Sequence, residues 1–174
     1  MIAVSSYMSP FGELILGSFE GALCLADWKY RAKREGIDKR LQSSLTARYV
    51  KQETDVIIQA KEQLSSYFSK ERSHFDLPLN MVGTSFQQKV WRELLKISYG
   101  ETRSYLELSK SLGNEKAIRA VATANCANAI SIIIPCHRII GADKSLVGYE
   151  GGLPAKQKLL DLENPRWRGQ MELF

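Results

Sequence analysis

An α+β fold in two parts is what this sequence predicts, on three observations. The first 28 residues alternate and turn in the manner of short antiparallel strands. The second half carries apolar residues at three- and four-residue steps, with capping and stopping residues at the ends of each run. Between the halves, Asp76-Leu77-Pro78-Leu79-Asn80-Met81-Val82-Gly83 has neither period and carries both proline and glycine. The boundary is expected there, giving a strand-rich domain over 1–80 and a mainly helical domain over 81–174.

Each element follows from its residues. Ile2 to Met8 alternates, Ser9-Pro10-Phe11-Gly12 supplies a turn, and Glu13 to Ser18 continues. Glu20-Gly21 then turns the chain into Ala22 to Trp28, completing a three-stranded meander. Cys24, between Leu23 and Leu25, reads as a buried strand residue. Residues 29–53 read as a long polar connection. Ile57, Ala60, Leu64, Tyr67 and Phe68 predict an amphipathic helix over about 55–69. Ser85 with Gln88 forms a capping box for a helix whose Phe86, Val90, Leu94 and Ile97 share one face, ended by Tyr99-Gly100. Ser104 with Glu107 opens a short helix that Leu112-Gly113 closes. Asn114 caps the next helix, over about Glu115 to Cys126. Pro154 belongs in the first turn of a last helix through Leu159, Leu160 and Leu162.

Composition narrows the class. The chain has 174 residues and 44% hydrophobic content, enough for one good core or two small ones. No run approaches the roughly 18 apolar residues of a membrane span, and no charged-then-apolar leader opens the chain. A cytoplasmic protein without a membrane partner is expected. Three cysteines and two histidines form no metal-ligand pattern, so neither a metal nor another cofactor is expected. The net charge of +5 permits a nucleic-acid partner without requiring one. Eight Lys or Arg residues fall between Lys29 and Lys51, against Glu35 and Asp38. They read as a solvated loop, with a DNA-contacting patch as the alternative.

The chemistry concentrates in Ile134-Pro135-Cys136-His137-Arg138. An apolar run from Ile130 leads like a strand into Pro135, which stiffens the turn carrying the thiol. His137 can help generate thiolate, the nucleophilic form of cysteine. Gly148-Tyr149-Glu150-Gly151-Gly152 forms a glycine-rich turn able to bring backbone N–H groups to a ligand. Glu163, at the end of the last helix, can orient His137. Cys126, at a helix end and without a flanking histidine, is the rival nucleophile. The pair 104–112 and 115–126 has helix-turn-helix proportions. In its second helix Ile118, Val121 and Asn125 can face inward, while Ala117, Ala120 and Ala124 leave a surface of little bulk beside Arg119. That surface suits either close approach to a DNA groove or packing against another helix.

These residues together resemble the O6-alkylguanine-DNA alkyltransferases, also called methylated-DNA–protein-cysteine methyltransferases. The matching pieces are Phe86-Gln87-Gln88-Lys89-Val90-Trp91, Gly100-Glu101-Thr102-Arg103-Ser104-Tyr105 and Arg119-Ala120-Val121. They continue with Asn128, Pro135-Cys136-His137-Arg138 and Gly148-Tyr149-Glu150-Gly151-Gly152. The resemblance is strong over about 84–163. It implies a ribonuclease-H-like first domain, and a monomer acting on double-stranded DNA through the minor groove, with cooperative packing along DNA left open. It implies that Cys136 accepts the alkyl group once, activated by His137 through water, with Glu163 fixing the histidine tautomer. Tyr105 would donate to the guanine ring, and Arg119 would fill the gap left by the flipped nucleotide. Ala117, Ala120 and Ala122 would meet DNA, and Asn128 would brace the turn before the active-site loop. Pro135 and Tyr149 would wall the pocket, the carbonyls of Cys136 and Ile139 would accept from the guanine amino group, and the N–H of Glu150 would approach O6.

The chemistry is coherent. Attack on a saturated carbon needs a polarisable nucleophile, and a cysteine buried among isoleucines needs a base to offset desolvation. Two departures stand out. Glu150 stands where many relatives have a small or uncharged residue: using only its backbone N–H, it can point its side chain to solvent, whereas pointing inward it would repel DNA and narrow the range of alkyl groups. The chain also carries no extra N-terminal zinc-binding regulatory region, so a stand-alone repair protein is expected. A non-enzymatic lesion sensor would lack the acceptor cysteine. A sequence-specific regulator would carry long polar side chains on its recognition helix, and a cysteine hydrolase is the remaining alternative.

Overall fold

The computed structural model describes residues 1–168, so the last part of the expected 81–174 domain, residues 169–174, lies outside the described residues. The chain forms two compact units. Residues 1–84 together with 129–133 make the first, and residues 85–128 with the chain from 134 onward make the second.

In the first unit β1 (Ile2–Ser9), β2 (Gly12–Phe19) and β3 (Ala22–Trp28) form the expected antiparallel meander. Glu20 and Gly21 both take positive φ, 51° and 83°, as a two-residue hairpin turn with the strands' own twist demands. The segment 29–53 is not a loop. It holds α1 (Arg34–Leu45) and β4 (Tyr49–Lys51), and β4 pairs parallel to β1 for a sheet order β3-β2-β1-β4. Ile37 and Leu41, one helical turn apart, bury against Ile2, Cys24, Leu25 and Ala129. The apolar signal is thus two residues wide, and the surrounding charges hide it. The helix expected over 55–69 is α2 (Asp55–Phe68), capped by the Thr54 hydroxyl, which accepts from Ile57 N at 3.4 Å. Its Ile57, Ala60, Leu64 and Tyr67 are buried as anticipated.

The outer edge of β3 is covered in two places, which blunts it as a pairing template. Leu23 bridges Leu79, and Ala26 bridges Ile130 through Ala26 N–Ala129 O at 2.9 Å and Ser131 N–Ala26 O at 2.7 Å. The apolar run after Ala129 is therefore not a strand of its own but a single bridge followed by sharp turns. Ile133 N donates to Ser131 O at 2.8 Å around Ile132, whose φ is +71°. A γ-turn of that sign is rare, and costlier still for a β-branched residue.

The second unit is helical, as expected: α3 (Ser85–Leu94), α4 (Tyr105–Ser111), α5 (Ile118–Cys126) and α6 (Leu153–Glu163), with a two-residue parallel pair of β5 (Arg103–Ser104) and β6 (Ile139–Ile140). Ser85 already lies inside α3, so the capping position falls to Thr84 rather than Ser85. Val90 and Leu94 are buried while Phe86 remains 39% exposed, and Ile97 is buried in the turn beyond the helix. Trp91 Nε1 donates to Ala124 O at 2.8 Å, tying α3 to α5. The helix-turn-helix is punctuated as its sequence reads. Ser104 Oγ accepts from Glu107 N at 3.1 Å, Gly113 turns with φ +78°, and Asn114 Oδ1 accepts from Lys116 N at 3.1 Å. A 3-10 turn over Glu115–Ala117 precedes α5. No helix among the described residues is long and apolar enough to cross a membrane.

Candidate functional site

The turn that carries the thiol is built from backbone geometry. Pro135 sits at φ −81° and ψ 61°, and Cys136 N donates to Ile134 O at 2.8 Å, a tight reversal for which proline's fixed φ is suited. Cys136–Arg138 then forms a 3-10 turn, with Arg138 N donating to Pro135 O at 3.0 Å. The buried Asn128 side chain donates from Nδ2 to Ile134 O at 3.0 Å, bracing the reversal from the end of α5. Cys136 is 6% exposed.

Behind the thiol lies a buried ionic group. His137 Nε2 and Glu163 Oε2 are 2.8 Å apart, and Arg138 grips the same carboxylate through Nε–Oε1 at 2.8 Å and Nη2–Oε2 at 3.0 Å. Arg138 Nη1 also donates to Ile97 O at 2.6 Å. Burial alone would raise the Glu163 pKa, yet the His137 and Arg138 contacts outweigh it and hold the carboxyl well below the usual range. Burial lowers the pKa of His137, and the Arg138 and Lys156 charges push the same way, so the permanent countercharge of Glu163 is the guanidinium. A neutral imidazole facing an ionised carboxylate must carry its proton on Nε2. Nδ1, buried and without a hydrogen bond among the described residues, is then the basic nitrogen.

The remaining members surround this core. Tyr149 sets its ring 6.5 Å from the His137 ring at 76°. Tyr105 opens α4, and its hydroxyl accepts from Asn125 Nδ2 at 3.3 Å. Its pKa is pushed up to about 12, chiefly by burial, with the charges of Cys126, Cys136 and Glu150 adding to it. Glu150 therefore lies within charge reach of the Tyr105 hydroxyl while remaining half-buried. Ile139 O takes the ammonium of the wholly buried Lys156, which also donates to Val147 O at 2.7 Å. Cys136 O receives the Ile139 N–H, so each of these two carbonyls enters any substrate contact with one lone pair already engaged. Burial lowers Lys156 to about 8 against the opposing pull of both thiols.

On α5, Arg119 and Ala120 are exposed and Ala117 and Ala122 are half-buried. Ala124 is 3% exposed and packs inward, so it drops out of the expected alanine surface, while Ile118, expected inside, is 37% exposed. Three of the side chains gathered here are not announced by the sequence. Arg138 was visible only as part of a motif. Lys156 stands one turn before Leu159 and Leu160, and a lysine on that apolar face was the available signal. Asn125 was assigned inward without a partner. Among the described residues no three His, Cys, Asp or Glu side chains converge as metal ligands would.

Comparison with known proteins follows the same division. Residues 2–81 match the family described as 6-O-methylguanine DNA methyltransferase, ribonuclease-like domain, and residues 85–165 match the DNA binding domain of the same family. The methylated-DNA–protein-cysteine methyltransferase of Mycobacterium leprae is 42% identical over 177 residues, covering 100% of this chain and 99% of its own length. The constitutive enzyme of that name from Bacillus subtilis is 40% identical over 156 residues, with 89% and 91% covered. Among solved structures, Mycobacterium tuberculosis OGT in complex with DNA superposes with TM-score 0.78 at 37% identity, covering 99% of this chain and 96% of that one.

Proposed function

The chain belongs to the 6-O-methylguanine DNA methyltransferase family, a family of DNA-repair transferases, and on that premise we propose that Cys136 is the alkyl acceptor and His137 its base. The observation that carries this assignment is the 2.8 Å contact between His137 Nε2 and Glu163, because it leaves Nδ1 basic one residue from the thiol. The thiol proton passes through a water to Nδ1. The sulfur then attacks the alkyl carbon of O6-alkylguanine, forming a C–S bond as the C–O6 bond breaks. The electron pair leaves with the purine, and the Tyr105 hydroxyl steadies the resulting anion by donating to its ring. The thioether has no route back to thiol, so each molecule acts once.

The DNA side of the reading rests on α5. Arg119 enters the duplex in place of the rotated nucleotide, and Ala117, Ala120 and Ala122 let the helix backbone approach the minor groove. Pro135, Tyr149 and the Glu150 N–H wall the base pocket, with the carbonyls of Cys136 and Ile139 facing the guanine amino group. O4-alkylthymine is the second lesion this chemistry admits. The protein works as a cytoplasmic monomer on double-stranded DNA, and its binding weakens with salt.

Intact mass tests the assignment. A duplex containing O6-methylguanine should add one methyl group to the wild-type protein and none to Cys136→Ser, which still binds DNA. Methylation surviving in Cys136→Ser would move the acceptor elsewhere, with Cys126 the first place to look.

A further inference from the structure

We propose that Asn125 is a positioning residue for the transfer, holding the Tyr105 hydroxyl as a donor toward the departing purine. This rests on the roles of Cys136 and Tyr105 given above and adds a residue to them. A phenol has one proton and two lone pairs. Asn125 Nδ2 donates to the Tyr105 oxygen at 3.3 Å, occupying a lone pair and turning the phenol's own proton away from α5. Successive hydrogen bonds polarise one another, so the phenol that accepts from Asn125 becomes the better donor. Its high pKa, raised chiefly by burial, keeps that proton in place at physiological pH.

A second observation sets the amide's cost to stability against its N–H. The residue is 4% exposed on the inner face of α5, and its Oδ1 is buried without a hydrogen bond among the described residues. A buried amide oxygen left unsatisfied destabilises the fold, whereas leucine of similar size would pack there without that cost. The amide is therefore explained by what its N–H does, and among the described residues that N–H goes to Tyr105.

The test is a coupling measurement. Rates of methyl transfer from duplex O6-methylguanine are measured for wild type, Asn125→Leu, Asn125→Asp, Tyr105→Phe and the Asn125→Leu/Tyr105→Phe double variant, with melting temperature and DNA affinity alongside. Asn125→Leu should slow transfer about tenfold, the worth of one hydrogen bond, with melting temperature unchanged or raised. In the Tyr105→Phe background the same substitution should change the rate by less than about twofold. Asn125→Asp should be slower than Asn125→Leu, because a carboxylate would capture the phenol proton. Full-rate Asn125→Leu, or losses that multiply in the double variant, would overturn the proposal while leaving Cys136 as acceptor. A wild-type protein that takes no methyl group overturns both. If Asn125→Leu does not fold, Asn125→Ala enters the same comparison.

Discussion

Asp27 in the first unit and Glu163 in the second are both buried carboxylates beside arginines, and they behave oppositely. Asp27 is wholly buried, with Arg31 Nη1 at 3.3 and 3.4 Å from its two oxygens and Arg34 Nε 3.9 Å away. Burial raises its pKa, and the two guanidinium charges do not cancel that rise. The Glu163 pKa falls instead, because His137 lies 2.8 Å from one oxygen and Arg138 closes a two-point fork at 2.8 and 3.0 Å. Arg34 meanwhile divides itself, reaching Asp38 at 3.0 Å. Close, well-aligned partners, rather than the number of arginines nearby, distinguish the carboxylate that is held ionised.

Substitutions that break this contrast should rank accordingly. Glu163→Gln should have the largest effect, slowing methyl transfer about 100-fold as the His137 tautomer is released, and lowering stability by about 3–5 kcal/mol as Arg138 loses its countercharge. Single-turnover rates and urea unfolding measure the two losses. Arg138→Lys keeps the charge but loses the fork, so transfer should slow about tenfold, with partial retention of stability. Asp27→Asn should leave the transfer rate within about twofold and cost less stability than Glu163→Gln, since the ionised form of Asp27 is already disfavoured by burial.

The pH dependence sharpens the contrast through its sign. Glu163 has a lowered folded pKa, so its contribution is complete above its ordinary value of 4.5 and is lost as pH falls below that. Asp27 has a raised folded pKa, so ionising it opposes folding above its ordinary 3.8, and that penalty fades as pH falls through the raised value. Unfolding curves from pH 7 downward should show wild type losing ground to Glu163→Gln and gaining on Asp27→Asn. Parallel curves would show that the two carboxylates do not differ as their geometry indicates.

Much of this molecule was legible because its signals are local. Ser104, Gly113, Asn114 and Pro154 each act on backbone groups within a few residues, and each does what its type requires. The cysteine motif was equally local, and its glutamate is met where the end of α6 was expected to offer it. What escaped depends on distant partners. Ile37 and Leu41 give α1 only two buried anchors, and their worth comes from Ile2 and Leu25 far along the chain. The isoleucine-rich run reads as a strand from propensity, yet its one bridge belongs to Ala26. Arg138 and Lys156 are buried by contacts to Ile97 and Val147 that no spacing announces.

That bridge has a consequence for how the chain can be divided. Ala129–Ile133 belongs to the first unit although the chain on both sides of it belongs to the second. No single cleavage point therefore yields two self-sufficient fragments. A piece beginning at residue 85 would carry Ile130, Ile132 and Ile133 without the β3 edge that Ile130 bridges, presenting three sticky isoleucines to water. A piece ending at residue 84 would leave Ala26 with backbone groups lacking their mates. Splitting this protein for complementation or tagging requires that the pentapeptide travel with the half to which it does not belong in sequence.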